Sequence, residues 1–443
     1  MAGSKRGLLI GGMIVATVPI IGLIGSGYWL YQDISVTAGK LESAKSEAVA
    51  KSVPLEPADW VRATSLDARN NAAPIMEKVA RDWEARSEED RRKIQNGLWS
   101  LATPAPNIST EDPRFIPIVE GIIQELRLAA SKQDADFNID WENPDQIDFA
   151  WHSSFTDVAR LLASKAAIEA RDGQFKKAFQ DLHSLRKLGQ FLSRDGTTLG
   201  LPAHVTLEHM ALNEAERILL RYPNSSSCQS QYQIFIEDKS TQPDLLRCLE
   251  GDAMVCNVLL SNSQLGREFF YRGVRIGAAN NSIRKATQVR ELEFWTQALP
   301  LIRSAAPHPI DIQNAYMETM HKFGDQKSPT RVLPHQLAQA AVNDIQRASA
   351  LFVKYEMARV LLTIHRYHIE NGAWPESLSV LNEPATDPYS DSYFGYKRNE
   401  DGFVLYSLGA DEFDDEGLPR REGFGGSDIV LRVEGDMVTN EGI

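Results

Sequence analysis

Residues Phe155–Leu192 read FTDVARLLASKAAIEARDGQFKKAFQDLHSLRKLGQFL. Leu and Ala recur there at three- and four-residue intervals, the spacing that lines one face of an α-helix. Asp172-Gly173 interrupts the pattern, so the stretch predicts two helices joined by a tight turn. Working outward, Asn70-Asn71-Ala72-Ala73-Pro74 ahead of Ile75–Val79 reads as a helix start with Pro in the first turn. A break rich in proline (Pro104, Pro106, Pro113, Pro117) precedes a helix expected over Ile118–Ala130. Further helices are expected at Leu207–Leu220, Ser261–Arg272 and Gln288–Arg303, so residues 59–330 form a helical body.

The 443 residues are 43% hydrophobic and 24% charged, a balance that supports a buried core and excludes a chiefly disordered chain. Lys plus Arg number 47 against 60 Asp plus Glu, a net charge of −13, which argues against a nucleic-acid ligand that would demand a basic field. The acidity is concentrated: Trp374–Ile443 holds 16 Asp and Glu but 5 Lys and Arg, a net of −11, so the rest of the chain is nearly neutral. Cys228, Cys248 and Cys256 are too few for a disulfide framework, and their spacing does not suit zinc. They are expected either as one disulfide with an odd thiol or as buried free thiols.

Gly7–Gln32 carries no charged side chain and is dominated by Leu, Ile, Val, Gly and aromatic residues. About 20 helical residues cross the ~30 Å hydrocarbon core of a bilayer, so this run is long enough to span one. Tyr28, Trp29 and Tyr31 stand at its far end, where amphipathic rings favour the headgroup level, and Lys5-Arg6 precede it. The expectation is a single-pass anchor in the inner (cytoplasmic) membrane, with residues 1–6 inside and the remainder in the periplasm. A cleavable signal peptide is the rival reading, but no Ala-x-Ala-like site follows the run. Ile34–Lys51 is polar and rich in Ala, Ser, Lys and Glu, which makes 33–58 a stalk or linker.

Linear signatures of catalysis are absent: no GxSxG elbow, no P-loop, no HExxH and no GxGxxG between strand and helix. His365 and His368 are three apart and His204 and His209 five apart, and neither pair has an evident third metal ligand. They read as packing or surface histidines.

From His335, apolar residues progress at helical intervals to Asn371-Gly372, a suitable helix stop. Trp374-Pro375-Glu376-Ser377-Leu378 turns into a short helix. Strands are expected at Phe394-Gly395-Tyr396, Phe403–Ser407 and Ile429–Val433, the last two separated by a long loop containing Asp411, Asp414 and Asp415. The pieces Asn371-Gly372-Ala373-Trp374-Pro375, Asp387-Pro388-Tyr389, Tyr396, Leu405-Tyr406-Ser407-Leu408-Gly409-Ala410-Asp411 and Ser427-Asp428-Ile429, in this order, resemble the C-terminal half of the major pseudopilin of type II secretion. The resemblance covers roughly residues 335–433. It implies a long helix on a small antiparallel sheet and a last loop folded around calcium, with Asp411 and Asp428 at the family's ligand positions and Asp414 and Asp415 beside them. Calcium takes 6–8 oxygens, which carboxylates and the carbonyls of a Gly-containing loop can provide; the spacing is not that of an EF-hand. Pseudopilins join anchor and long helix directly, whereas about 300 residues intervene here, so the module is expected as a stand-alone fold.

Two further resemblances complete the reading. Gly173-Gln174-Phe175-Lys176-Lys177-Ala178-Phe179 is similar to the helix junction of a tetratricopeptide repeat, at one hairpin without an array. The chain as a whole looks like large membrane-anchored exported proteins of planctomycete-like bacteria, which implies no particular activity. The expected fold class is therefore mainly α: a transmembrane helix (7–32), a stalk, a partly tetratricopeptide-like helical body (59–330), and a C-terminal α+β module (331–443) with a three-stranded antiparallel sheet. The expected function is binding or scaffolding in an envelope assembly with protein partners. An envelope hydrolase with its site in the helical body and an atypical type II secretion component are the alternatives.

Overall fold

A computed structural model describes residues 31–60, 67, 69–102, 115–143, 147, 149–194, 196–261, 269–271, 274–276, 281–324, 331–381, 386–390, 392–418, 428–435 and 437–441. The anchor expected over 7–32 lies outside these residues, apart from its last two. Among the described residues no helix is long and apolar enough to cross a membrane.

The chain is mainly helical with a small antiparallel sheet near its C-terminus. Helix α1 (31–38) runs through a turn into α2 (Leu41–Ala50), followed by the short α3 (Pro57–Trp60), α4 (Ala73–Glu84), α5 (Glu88–Ala102) and α6 (Phe115–Ala130). The hairpin expected at Phe155–Leu192 is present as α7 (Trp151–Arg171) and α8 (Phe175–Leu192). Gly173 supplies the turn at φ +74°, a left-handed conformation costly for a residue with Cβ. Helix α9 (Leu201–Arg221) packs against both, and α10 (Ser226–Glu237) lies on α8 and α9. Ser225 caps α10 by accepting the Cys228 N–H.

Of the helix expected at Ser261–Arg272, residues 262–268 and 272 lie outside the described residues, and the described part is not helical beyond Ser261. Helix α11 (Leu245–Ser261) instead ends where that one was to begin, and Phe269–Tyr271 (β1) pairs antiparallel with Val274–Ile276 (β2). The run Phe-Phe-Tyr-Arg-Gly-Val-Arg-Ile is rich in aromatic and β-branched residues and has Gly near its centre, which favours a hairpin over a helix. Helix α12 (Asn281–Ala305) covers the expected Gln288–Arg303 and forms a hairpin with α13 (Pro309–Gly324).

The segment 33–58 is docked on the body. Thr37 accepts a hydrogen bond from the Arg290 guanidinium, which also lies 3.6 Å from Asp33. Arg303 donates to the carbonyls of Lys51 and Ser52, and Asn257 to that of Leu55. All three cysteines are buried free thiols, the second of the two expectations.

Helix α14 (Val332–Asn371) stops at Gly372, whose φ of +71° and N–H to the His368 carbonyl form the expected cap. The sheet order is β3 (Gly395–Arg398), β4 (Gly402–Ser407), β5 (Ile429–Glu434), β6 (Met437–Glu441), antiparallel throughout. Three strands were expected; the terminal residues add the fourth. Phe403, Leu405, Ile429, Leu431 and Val433 face the main core, while Val404, Tyr406 and Val430 form a smaller cluster on the other face, as the period of two requires. One continuous apolar core extends from Ala48 to Val433, so the body and the C-terminal module share an interior. Strand β6 lies beside α9 and α14 beside α9, α10 and α13.

Candidate functional site

The acidic loop leaves β4 at Ser407 and returns at Asp428. Asp428 is buried at its base, where it accepts the Gly417 N–H at 2.6 Å and the Asp415 N–H at 3.4 Å. Burial raises its pKa, and the negative charges of Asp414 and Asp415 push the same way, against the two backbone donors. Burial, with Asp414 and Asp428 nearby, also raises the Tyr406 phenol to about 12. Gly417 closes over the outer sheet face: at φ +70°, a Cβ there would lie 2.9 Å from the Tyr406 ring.

Asp411, Asp414 and Asp415 are exposed. Asp411 accepts the Phe413 N–H and Asp414 the Glu416 N–H, so each caps its own turn. The loop thus carries oxygen donors of the kind a hard cation uses, with the charges of Asp414 and Asp415 near the buried Asp428. Among the described residues, no three His, Cys, Asp or Glu side chains converge as a metal-binding group. Residues 419–427 of the loop lie outside the description.

The residues quoted for the pseudopilin resemblance contact one another. Buried Asp387 receives the Ser407 hydroxyl at 2.7 Å and the Leu408 N–H at 2.9 Å, besides the Tyr389 N–H, and so pins the end of β4 where the loop departs. Tyr396 donates to the Pro375 carbonyl, and Trp374 stacks on His368 at 3.8 Å and packs on Phe403. The sequence places Asp387 only in the Asp-Pro-Tyr turn; its bonds to Ser407 and Leu408 join residues about twenty positions apart and leave no local pattern.

The helical body holds a second polar cluster that the sequence reading missed. Arg186 and Glu208 are fully buried and paired at 2.9 Å. Arg186 also donates to the carbonyls of Phe235 and Asp238, and Tyr355 donates its hydroxyl to Glu208. Burial disfavours the Glu208 carboxylate, but Arg186 and His204 outweigh it and hold its pKa down at about 2. His204 faces the Thr241 carbonyl through Nε2 and the Ser193 hydroxyl through Nδ1. The cluster ties α8, α9, α10 and α14 together, and a carboxylate held ionised is poorly suited to proton transfer.

Glu291 differs. Burial raises its pKa to about 7, with Asp252 adding to the shift and the Trp295 indole N–H opposing it. Of the histidines, His209 is kept neutral by burial and by the Lys354 ammonium 3.1 Å away, its pKa lowered to about 3. His365 is buried on α14 and lowered to about 4, chiefly by desolvation. The paired histidines therefore belong to separate surroundings: His204 joins the Glu208 cluster, His209 meets Lys354, and His368 stacks on Trp374.

No protein-family model, curated protein or solved structure matches this chain.

Proposed function

We propose that this protein is a single-pass, membrane-anchored extracytoplasmic scaffold that presents its helical body and C-terminal module to protein partners of an envelope assembly. The observation that carries the reading is the charge-free run Gly7–Gln32, which leads into a helix clamped to the body by Arg290 and Arg303. A binding protein gains from such a mount because it holds the binding surfaces at a fixed place relative to the bilayer. The test is alkaline extraction of membranes combined with protease treatment of spheroplasts. The expected result is a pelleted protein whose body is digested from outside. Recovery in the alkaline supernatant, or protection of the body in intact spheroplasts, would reject the reading.

The C-terminal module is proposed to be pseudopilin-like and stabilised by calcium at Asp411 and Asp428, with Asp414 and Asp415 contributing. Support comes from the mutual contacts of the motif residues and from the buried Asp428, whose charge a divalent ion would offset. A ligand at 100 times its Kd stabilises by about 2.7 kcal/mol. Saturating calcium should therefore raise the Tm of the full chain, and Asp428→Asn should abolish the rise. An equal Tm for the wild type in calcium and in chelator removes the ion from the proposal.

A further inference from the structure

Helix α8 ends at Ser193, and α9 passes close beside that end because two glycines let the backbones approach. A Cβ on Gly189 would lie 3.2 Å from the His204 ring, and one on Gly200 3.0 Å from the Ser193 Cα. The approach sets the Ser193 hydroxyl 2.8 Å from Nδ1 of His204, eleven positions further along the chain. Ser193 is half-buried and meets solvent, whereas His204 and Glu208 are fully buried behind it.

The protons of this arrangement follow from its partners. Nε2 of His204 is 2.7 Å from the Thr241 carbonyl, which can only accept, so Nε2 carries a hydrogen. Nδ1 of the neutral ring is then a bare lone pair, to which the Ser193 hydroxyl donates. The Gln190 carbonyl, 3.1 Å from the same hydroxyl, already receives the Ser193 N–H and is the weaker rival. Arg186 binds the Asp238 carbonyl and Gln190 that of Ser240, so the segment leading to Thr241 is clamped onto α8. Glu208 stands 3.7 Å from Nε2; despite its burial, Arg186 and His204 keep it ionised.

We propose that Ser193 is a nucleophile activated by His204, and that the helical body hydrolyses small carboxylic esters there. This activity lies beyond the mounting of partners and depends on neither the anchor nor calcium. Ser193 Oγ attacks the ester carbonyl carbon while its proton passes to Nδ1. The tetrahedral adduct then expels the alcohol, which takes that proton with it. Water, deprotonated by Nδ1, adds to the acyl-serine; the Oγ–acyl bond breaks, the acid departs, and the proton returns to Ser193. Glu208 stays ionised throughout and offsets the imidazolium charge, and the carbonyl end of α8 favours the same cation. A base so placed accelerates attack by about 10²–10⁴-fold. The half-buried position of the hydroxyl restricts the substrate to short acyl groups.

The test treats the detergent-solubilised full chain with a rhodamine fluorophosphonate. Its P–F bond breaks as an Oγ–P bond forms, fluoride leaves, and the proton passes to His204. Peptide mass spectrometry should place the adduct on Ser193, formed at least about 100-fold faster than in the urea-unfolded chain. Ser193→Ala should lose both the adduct and the hydrolysis of p-nitrophenyl acetate. Glu208 acts through the ring as a positioning residue, so Glu208→Gln should slow the adduct without moving it to another serine. No adduct on Ser193 of the folded wild type, or one formed equally fast in urea, overturns the proposal and leaves the Ser193–His204 bond a helix stop. That arm uses no variant and so decides the question whether or not a substitution folds. Equal p-nitrophenyl acetate hydrolysis by wild type and Ser193→Ala overturns the esterase activity.

Discussion

Replacing Glu208 by Gln tests the account of the body's interior. Arg186 and Glu208 are both inaccessible to solvent, and the change to Gln removes the buried counter-charge that the Phe235 and Asp238 carbonyls cannot replace. Breaking a buried ion pair by removing one partner costs about 3–5 kcal/mol, because the remaining charge stays desolvated. Linkage leads to a similar size. The folded pKa is about 2, against an ordinary glutamate value of 4.5. Because the native value is depressed, the stabilisation is present above about pH 4.5 and drains away as pH falls toward 2, about 3 kcal/mol in all. Urea unfolding of detergent-solubilised protein, followed by tryptophan fluorescence, should therefore show a loss of about 3–5 kcal/mol for Glu208→Gln at pH 7 and a much smaller gap near pH 2. An apolar double replacement, Arg186→Met with Glu208→Leu, should lose less than the single variant, since no charge is stranded. A single-variant loss under about 1 kcal/mol, or a gap that does not change with pH, would refute the reasoning.

Three other outcomes are expected. Glu291 has a raised folded pKa of about 7, so between pH 4.5 and 7 the unfolded chain releases a proton that the native state keeps, and stability falls as pH rises. Glu291→Gln should thus gain up to about 3 kcal/mol at pH 8 and almost nothing at pH 4; urea midpoints that track the wild type at both pH values would contradict this. Asp387→Ala leaves the Ser407 hydroxyl and the Leu408 N–H without their acceptor, which should cost about 2–4 kcal/mol and speed amide exchange at Leu408, and unchanged exchange there would count against the pin. Gly251→Ala places Cβ 1.9 Å from the Gly196 carbonyl oxygen and 3.0 Å from the Trp60 ring, so about 2 kcal/mol or more should be lost, read as a drop in Tm; a Tm equal to the wild type would show that α11 has room to move.

Much of the secondary structure was legible because it rests on neighbours in sequence. The α7–α8 hairpin follows from a period of 3.6 broken by Asp172-Gly173, and the end of α14 from Asn371-Gly372. Strands β3, β4 and β5 follow from apolar runs bounded by turns. The helix expected at Ser261–Arg272 went wrong where a short aromatic run admits either period, and the last strand was overlooked because Met437–Glu441 is short and polar. The site residues were less legible. Asp411, Asp414, Asp415 and Asp428 stand out as a charge cluster, yet the structure gives them different work: three cap turns or lie exposed, and one is buried under the loop.

What the amino-acid order determined alone is therefore local or compositional: helix and strand periods, their Gly stops, the uncharged leading run and the acidity of the last seventy residues. These depend on dihedral preference and on hydrophobicity summed over a few turns. Only the tertiary structure decided that Glu208 meets Arg186 and Tyr355, that Asp387 meets Ser407, and that α12 lies alongside α1 through Arg290 and Thr37. Such pairings join residues separated by 20 to 253 positions. Their energy depends on which groups are removed from water together, a quantity that exists only once the chain has closed around them.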